Sequence, residues 1–481
     1  MNVVRGGLAI GLGLRVMVAT APAWAQAQPA TMLASPAAQQ QPAPQPPGSP
    51  LAGSVPAPLE PGVVKLTLEE AVDRALQHNL AVVLGQQGVE AARGGSLQAL
   101  SGLLPEVGAS LLERRQTSNL ETFGLTLPGV PPLIGPFNVF DARATLSQSV
   151  FDVGAIQRNI AGNRNVDAAR YSLRDARDLV VVAAADLYFQ VIAARARVFA
   201  AQAQVETAEA LSRQANDLKQ SGLVAGIDLL RAQVQVDIER HRLVVARNDE
   251  QRQRLAFARA IGLAPGQAFD LVSDIPYKAM EPVAVDAAVK QAYEGRADLK
   301  AAESRLKALE AEHNASLGDR LPSVHLAADY GTIGLTPASA FPTYTIMGLV
   351  RVPIFNLATQ RAHTVQTQAA VARQASLVAD LRAQVAYEVE LALADLAAAD
   401  ERVKISKEAT DLATQQLEQA RDRFAAGVGD NIAIVQAQQV LAASTEAYIQ
   451  SLFAHNVAKA AFARALGNAE ESAGRLFGYS R

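Results

Sequence analysis

The stretch LKQSGLVAGIDLLRAQV (Leu218–Val234) is written again as RFAAGVGDNIAIVQAQQ (Arg423–Gln439). With Gly222 set over Gly427, an offset of 427 − 222 = 205, Ile227 falls on Ile432, Leu229 on Ile434, Ala232 on Ala437 and Gln233 on Gln438. Each copy reads as a glycine turn between two helices. The same offset places Gly262 of ARAIGLAPG over Gly467 of ARALGNAEE. Upstream, Phe151 of QSVFDVG matches Phe355 at an offset of 204, and Pro105 of SGLLPEVGASL matches Pro322 of GDRLPSVHLAA at 217. The change of offset marks a longer connection in the first half, so the chain is an internal duplication with a loop insertion.

Working outward from the turns, residues 154–219 contain no proline. Apolar or small residues recur at Leu173, Ala176, Val180, Ala183, Leu187, Val191, Ala194, Val198, Ala201, Val205 and Ala208. These steps of three and four, with one extra four at Leu187–Val191, form a heptad seam with a stutter. They predict a coiled-coil-like helix of roughly 65 residues, about 100 Å long at 1.5 Å per residue. The second half predicts the same from about Leu357 to Phe424. Shorter helices return over Ile227–Ile261 and Ile432–Leu466, giving two helical hairpins. Ahead of the first, Thr67 and Glu70 have capping-box spacing, and a helix from Leu80 to Gly102 stops at Pro105.

Between Pro105 and Phe151, and between Pro322 and Phe355, the period changes to two. Phe140, Ala142, Ala144, Leu146 and Val150 share one face, opposite Asp141, Arg143, Thr145, Ser147 and Ser149. Val324, Leu326, Ala328 and Tyr330, then Tyr344, Ile346, Val350 and Val352, repeat the pattern; EVGASLLERR is the weakest of the four strands. Such strands fit a sheet packed on a helix or a membrane barrel, with Tyr330, Phe341, Tyr344, Phe137 and Phe123 as an aromatic belt. Four strands cannot close in lipid without bare edges, so a membrane barrel needs several chains.

Residues 1–25, ending in AWA (Ala23–Ala25), read as an export signal, and residues 26–62 as a Pro/Gln-rich flexible arm. The first repeat spans 63–265, with strands about 105–150 and a hairpin about 154–261; a linker covers 266–282. The second repeat spans 283–467, with strands about 322–354 and a hairpin about 357–466; residues 468–481 form a tail. The chain has no cysteine and a net charge of −3, which excludes disulfides, thiolate chemistry and a lipid-carrying N-terminal Cys and gives no basic field for nucleic acid. The six histidines, His78, His241, His313, His325, His363 and His455, show no metal-ligand spacing. No phosphate loop, HExxH or G-x-S-x-G occurs, so neither catalysis nor a cofactor is expected.

From the tandem halves, the LLP and RLP stops, SQSVFDVG and the two glycine turns, the chain over about Leu66–Gly467 resembles the outer-membrane efflux protein family, the TolC-like outer-membrane factors. The resemblance implies a mainly α fold with a membrane β part. Three chains would each give four strands to one 12-stranded outer-membrane barrel, continuous with a long periplasmic α-helical barrel. It implies a homotrimer that contacts outer-membrane lipid and docks with a periplasmic adaptor protein and an inner-membrane pump of the RND or ABC type. Gly222, Leu223, Val224, Gly226, Gly427, Val428 and Gly429 would form the periplasmic tips that the adaptor grips. Asp228, Asp430 and Gln436 would lie at the entrance constriction. Some relatives carry two aspartates where this chain has Ala433 and Gln436, and many carry a lipidated cysteine that is absent here.

Alternatives remain open at this point. A type I protein-secretion outlet would share the duct, since cargo choice lies with the pump. A structural periplasmic coiled coil would explain the heptads and leave the strand pairs unexplained; a self-contained porin would need many more strands per chain.

Overall fold

The structure is a computed structural model that describes residues 49–471 except 50, 52, 126–127, 223, 273–276, 281–282, 355–356, 427 and 429–430. The export signal, most of the arm and the end of the tail lie outside the described residues.

The first repeat opens with strand β1 (Val64–Leu66) and helix α1 (Leu68–His78). The capping box forms: Glu70 N–H donates to Thr67 Oγ1 (3.2 Å) and Thr67 N–H to Glu70 Oε2 (2.8 Å). Asn79 ends α1 and caps α2 (Leu80–Ser101) by accepting from Ala81 N–H. Strands β2 (Glu106–Asn119) and β3 (Leu133–Phe151) follow, then α3 (Val153–Gln220) and α4 (Gly226–Ala260). α3 has 68 residues, about 100 Å of helix. A short strand β4 (Phe269–Leu271) pairs in parallel with β1.

The second repeat is written in the same order. It contains α5 (Val285–Gly295), α6 (Ala297–Gly318), β5 (Ser323–Gly334), β6 (Phe341–Arg351), the 69-residue α7 (Leu357–Ala425) and α8 (Asn431–Ala465). α4 and α8 are half the length of the helices they pair with, and a second helix completes each. α2 begins where α4 ends, with Asn79 Nδ2 donating to Ala260 O at 3.3 Å. α6 begins where α8 ends, with Gly467 against the Arg296 backbone.

All eleven predicted seam residues of α3 are buried or half-buried. Between Asp178 and Ala194 burial extends beyond one stripe, because α1, α4, α6 and α8 all pack against α3. Tyr188, Phe189, Phe257 and Phe269 form the aromatic centre of this region, with Tyr188 edge-on to both Phe189 (5.8 Å) and Phe257 (6.0 Å). α3 holds a stretch apolar and long enough to cross a bilayer, but 61% of that window is buried among the other helices. Its apolarity is used for packing.

Two segments differ from the sequence reading. Residues 53–62, read as the end of a flexible arm, are pinned: Val55 N–H donates to His78 O (2.8 Å), Ala57 N–H to Gly262 O (2.9 Å), and Gly53 O accepts from Leu80 N–H. The 266–282 linker contains β4, whose Phe269 and Leu271 are buried against α3 and α4. Three-residue strands are too short to show a period, and β4 exists because β1 offers a ladder and the helices an apolar floor.

The four long strands form one antiparallel sheet, ordered β2-β3-β5-β6. β3 of the first repeat thus pairs directly with β5 of the second, and β2 and β6 are edges.

Candidate functional site

Two ends of the fold carry the candidate function: the sheet and the helical tips. In the sheet the register sorts side chains into rows. Ala109, Ala144, Tyr330 and Tyr344 lie side by side across the four strands, and Val107, Leu146, Ala328 and Ile346 form the next row on that face. The other face carries Ser110, Arg143, Gly331 and Thr343, then Gly108, Thr145, Asp329 and Thr345. Arg143 is held by two carboxylates, Asp141 Oδ1 and Asp329 Oδ1, each at 2.7 Å. Across these rows one face is apolar and aromatic and the other is polar, with Arg143 paired to its two carboxylates, the division a lipid-to-water wall requires. EVGASLLERR, the least clear strand in the sequence, becomes a 14-residue edge strand.

At the other end, α3 stops at Ser221, whose N–H and Oγ both donate to Asp217 O. Gly222 N–H donates to Lys219 O, and Gly222 takes φ +73° with open space where a Cβ would stand. The chain passes half-buried Val224 and turns into α4 at Gly226. The second tip closes with Ala426 N–H on Asp422 O and Val428 N–H on Arg423 O, leaving Val428 71% exposed. Leu223, Gly427, Gly429 and Asp430 lie outside the described residues. The two tips stand together: Leu211 of α3 clusters with Leu417 and Phe424 of α7 and with Ile434 and Ala437 of α8.

The predicted entrance residues separate. Gln436 lines a groove of about 460 Å³ with Ile227, Leu230 and Val234 of α4 and Ile432 and Val435 of α8. Asp228 is half-buried in the first turn of α4, 3.4 Å from Arg231, where its charge suits the helix N-terminus. The groove is walled by aliphatic side chains, with Gln436 and Gln439 as amides and Arg231 as the charge.

Two apolar stripes are uncovered. On α4 they are Ile227, Leu230, Val234, Ile238 and Val245, and on α7 Leu377, Leu391, Ile405 and Leu412, all between 40% and 59% exposed. The α7 residues are spaced by multiples of seven, the signature of a coiled-coil seam awaiting a partner. The α4 stripe faces the grooves it shares with α8, Ile227, Leu230 and Val234 beside Ile432 and Val435, and Val245 beside Ala442, whereas α7 packs on α8, α6 and α5 with its heptad stripe left exposed.

Sequence reasoning missed a buried charge network between the repeats. The Arg296 side chain is 3% exposed and bonds Asp298 Oδ2 (2.6 Å) and Glu388. Burial alone would lower its pKa, but these two carboxylates hold it firmly charged. Arg464 Nη2 meets Asp175 Oδ1 at 2.5 Å, while burial holds Asp175 above the usual carboxylate range. The partners are far apart in sequence; the spacing 296 − 79 = 217 equals the offset of the two prolines, which makes Arg296 the counterpart of Asn79 and is the one signal of it the sequence holds. Among the described residues no group of His, Cys, Asp and Glu is arranged to hold a metal.

Comparison with known proteins bears on both ends. The sequence profile described as outer membrane efflux protein matches residues 71–263 and 288–468, the two repeats. The pyoverdine export outer membrane protein OpmQ of Pseudomonas putida is 24% identical over 402 residues, covering 82% of this chain and 84% of the relative. The fold is shared with the CmeC outer membrane channel of Campylobacter jejuni (TM-score 0.74, 16% identity, 85% of this chain and 89% of that one). It is shared equally with the outer membrane protein VceC of Vibrio cholerae (TM-score 0.73, 17% identity, 83% and 96%).

Proposed function

The chain belongs to the outer membrane efflux protein family, and from that premise we propose that three copies of it build one passive exit duct. As a member of that family it is an outer-membrane channel with a large periplasmic portion, a component of a tripartite efflux system and not an enzyme. It works with a periplasmic adaptor and an inner-membrane pump.

The trimer is supported by one observation: the four-stranded sheet of a single chain ends in two unpaired strands. β2 and β6 are bare sheet edges, and bare edges are not tolerated in a bilayer. α7 carries an uncovered heptad stripe, and α4 stands at the opposite side of the helical part, packed mainly on α3. A neighbour related by a rotation axis would pair β6 with β2 and α7 with α4 at once. Three such contacts close twelve strands and a ring of helical hairpins. The apolar face of the sheet then meets lipid, and the Arg143 face lines the lumen.

At the far end, six tips, two kinds from each chain, ring the duct and present Val224 and Val428 to the adaptor. Aliphatic residues beside Gln436 favour passage of small amphipathic molecules over retention of cations. The relative OpmQ exports pyoverdine, and a small-molecule cargo is our reading here.

The absence of cysteine makes the test clean. One cysteine at Ala109 of β2 is combined in turn with one at Tyr344, Ile346 or Gly348 of β6, and oxidised in membranes. One register should give a covalent three-chain ladder; products no larger than one chain in every combination would refute the shared barrel.

A further inference from the structure

We propose that the segment Tyr277–Met280, which joins the two repeats, is an acid-released strap over α7 and α8, with His455 as its proton acceptor. Its anchors are few and converge on one buried group. Tyr277 Oη donates to Asp400 Oδ1 at 2.9 Å, and its ring lies 5.1 Å from the His455 imidazole. Lys278 O accepts from Lys459 Nζ at 3.4 Å. Met280 packs against the cluster of Val385, Val389 and Phe462.

His455 is 0% exposed, and neither ring nitrogen makes a hydrogen bond among the described residues. Its Nε2 stands 3.8 Å from Asp400 Oδ1, too far for a hydrogen bond and close enough for attraction once charged. A buried imidazole left unpaired in this way is costly as a structural element and suited to a switch. The charged and titratable groups around it are Tyr277 and Lys278 from the strap, Asp400, Glu401 and Lys404 from α7, and Lys459 from α8. Lys404 occupies Asp400 Oδ2 at 2.7 Å, so the oxygen shared by Tyr277 and His455 is Oδ1.

One proton disturbs both polar anchors. Imidazolium donates from both ring nitrogens and carries a charge, so it draws Asp400 Oδ1 towards Nε2 and competes with the Tyr277 hydroxyl for it. It also places a second cation beside buried Lys459, which holds Lys278 O. Burial, with Lys459 adjacent and Asp400 opposing, keeps His455 below the ordinary histidine value of 6.5. The closed strap therefore prefers neutral imidazole: its stability is whole above 6.5 and is lost as pH falls through that value towards the lower pKa of the closed state. The strap lies over α7 and α8 at the join of the two repeats, so its release uncovers that part of the second hairpin while the packing of α3 on α6 and α8 holds the repeats together.

Hydrogen exchange of full-length protein in nanodiscs, read on peptides spanning 277–280 and corrected for intrinsic rates, tests this at pH 7.5 and 5.5. Wild-type protection should drop about fivefold or more at the lower pH; in H455Q the drop should be under about twofold. Y277F, lacking the hydroxyl anchor, should be weakly protected at both values. D400N keeps an acceptor for Tyr277 but removes the counter-charge that supports imidazolium in the closed state, and should move the midpoint to higher pH; it decides the matter if H455Q does not assemble. A wild type with no drop, an H455Q drop equal to wild type, or an unmoved D400N midpoint would overturn the strap.

Discussion

Gly262 and Gly467 share one backbone conformation, φ +76°, at the same place in the two repeats, 467 − 262 = 205 residues apart. A Cβ on Gly262 would stand 2.3 Å from His78 Cβ, and one on Gly467 2.4 Å from Arg296 N. Each glycine is where a returning helix ends against the helix that completes it. Alanine at either position should cost roughly 2–4 kcal/mol, combining left-handed strain with overpacking against groups that cannot swing away. Thermal unfolding of purified G262A and G467A should show the loss, and the double variant should not yield assembled protein.

Arg296 should be the most sensitive charged residue. R296A leaves Asp298 and Glu388 without their buried cation, a loss of about 3–5 kcal/mol. R296K should rescue poorly, because Arg296 reaches both Asp298 oxygens (3.0 and 2.6 Å) through a planar fork as well as Glu388. Denaturation midpoints of both variants against wild type check this.

At the tip, Gly222 is held by its φ of +73° alone, since nothing lies within 4 Å of a Cβ there. G222N should thus be near neutral, asparagine tolerating that region, whereas G222V should cost on the order of 1–2 kcal/mol locally. Hydrogen exchange of peptides across 217–228 should rise in G222V with the rest of the fold unchanged.

The sheet gives a paired comparison. Ala144 belongs to the apolar row with Tyr330 and Tyr344, and its neighbour Thr145 faces the other way with Asp329. A144R puts a charge on the lipid face and should cost about 2–4 kcal/mol near the midplane; T145R should be tolerated beside Asp329. The amount of each variant recovered from the outer membrane distinguishes them.

Both hairpins, the four strands and the duplication were legible because each rests on a long period: heptads in α3 and α7, alternation in β3, β5 and β6. Offsets alone aligned Gly262 with Gly467 before any contact was known. β1 and β4, three residues each, show no period, and the pinning of 53–57 depends on carbonyls offered by His78 and Gly262. Charge pairs such as Arg464–Asp175, 289 residues apart, leave no local trace. At the candidate site the sequence located the turns, but it could not show that Asp228 sits beside Arg231 while Gln436 joins an aliphatic groove, because that depends on how α4 and α8 are rotated.

The shared duct is tested most directly by the mass of the protein extracted from the outer membrane, measured by light scattering with the bound detergent subtracted. The account predicts a particle of three chains. A one-chain particle that stays folded, with its sheet edges and the α7 stripe in detergent alone, would contradict it.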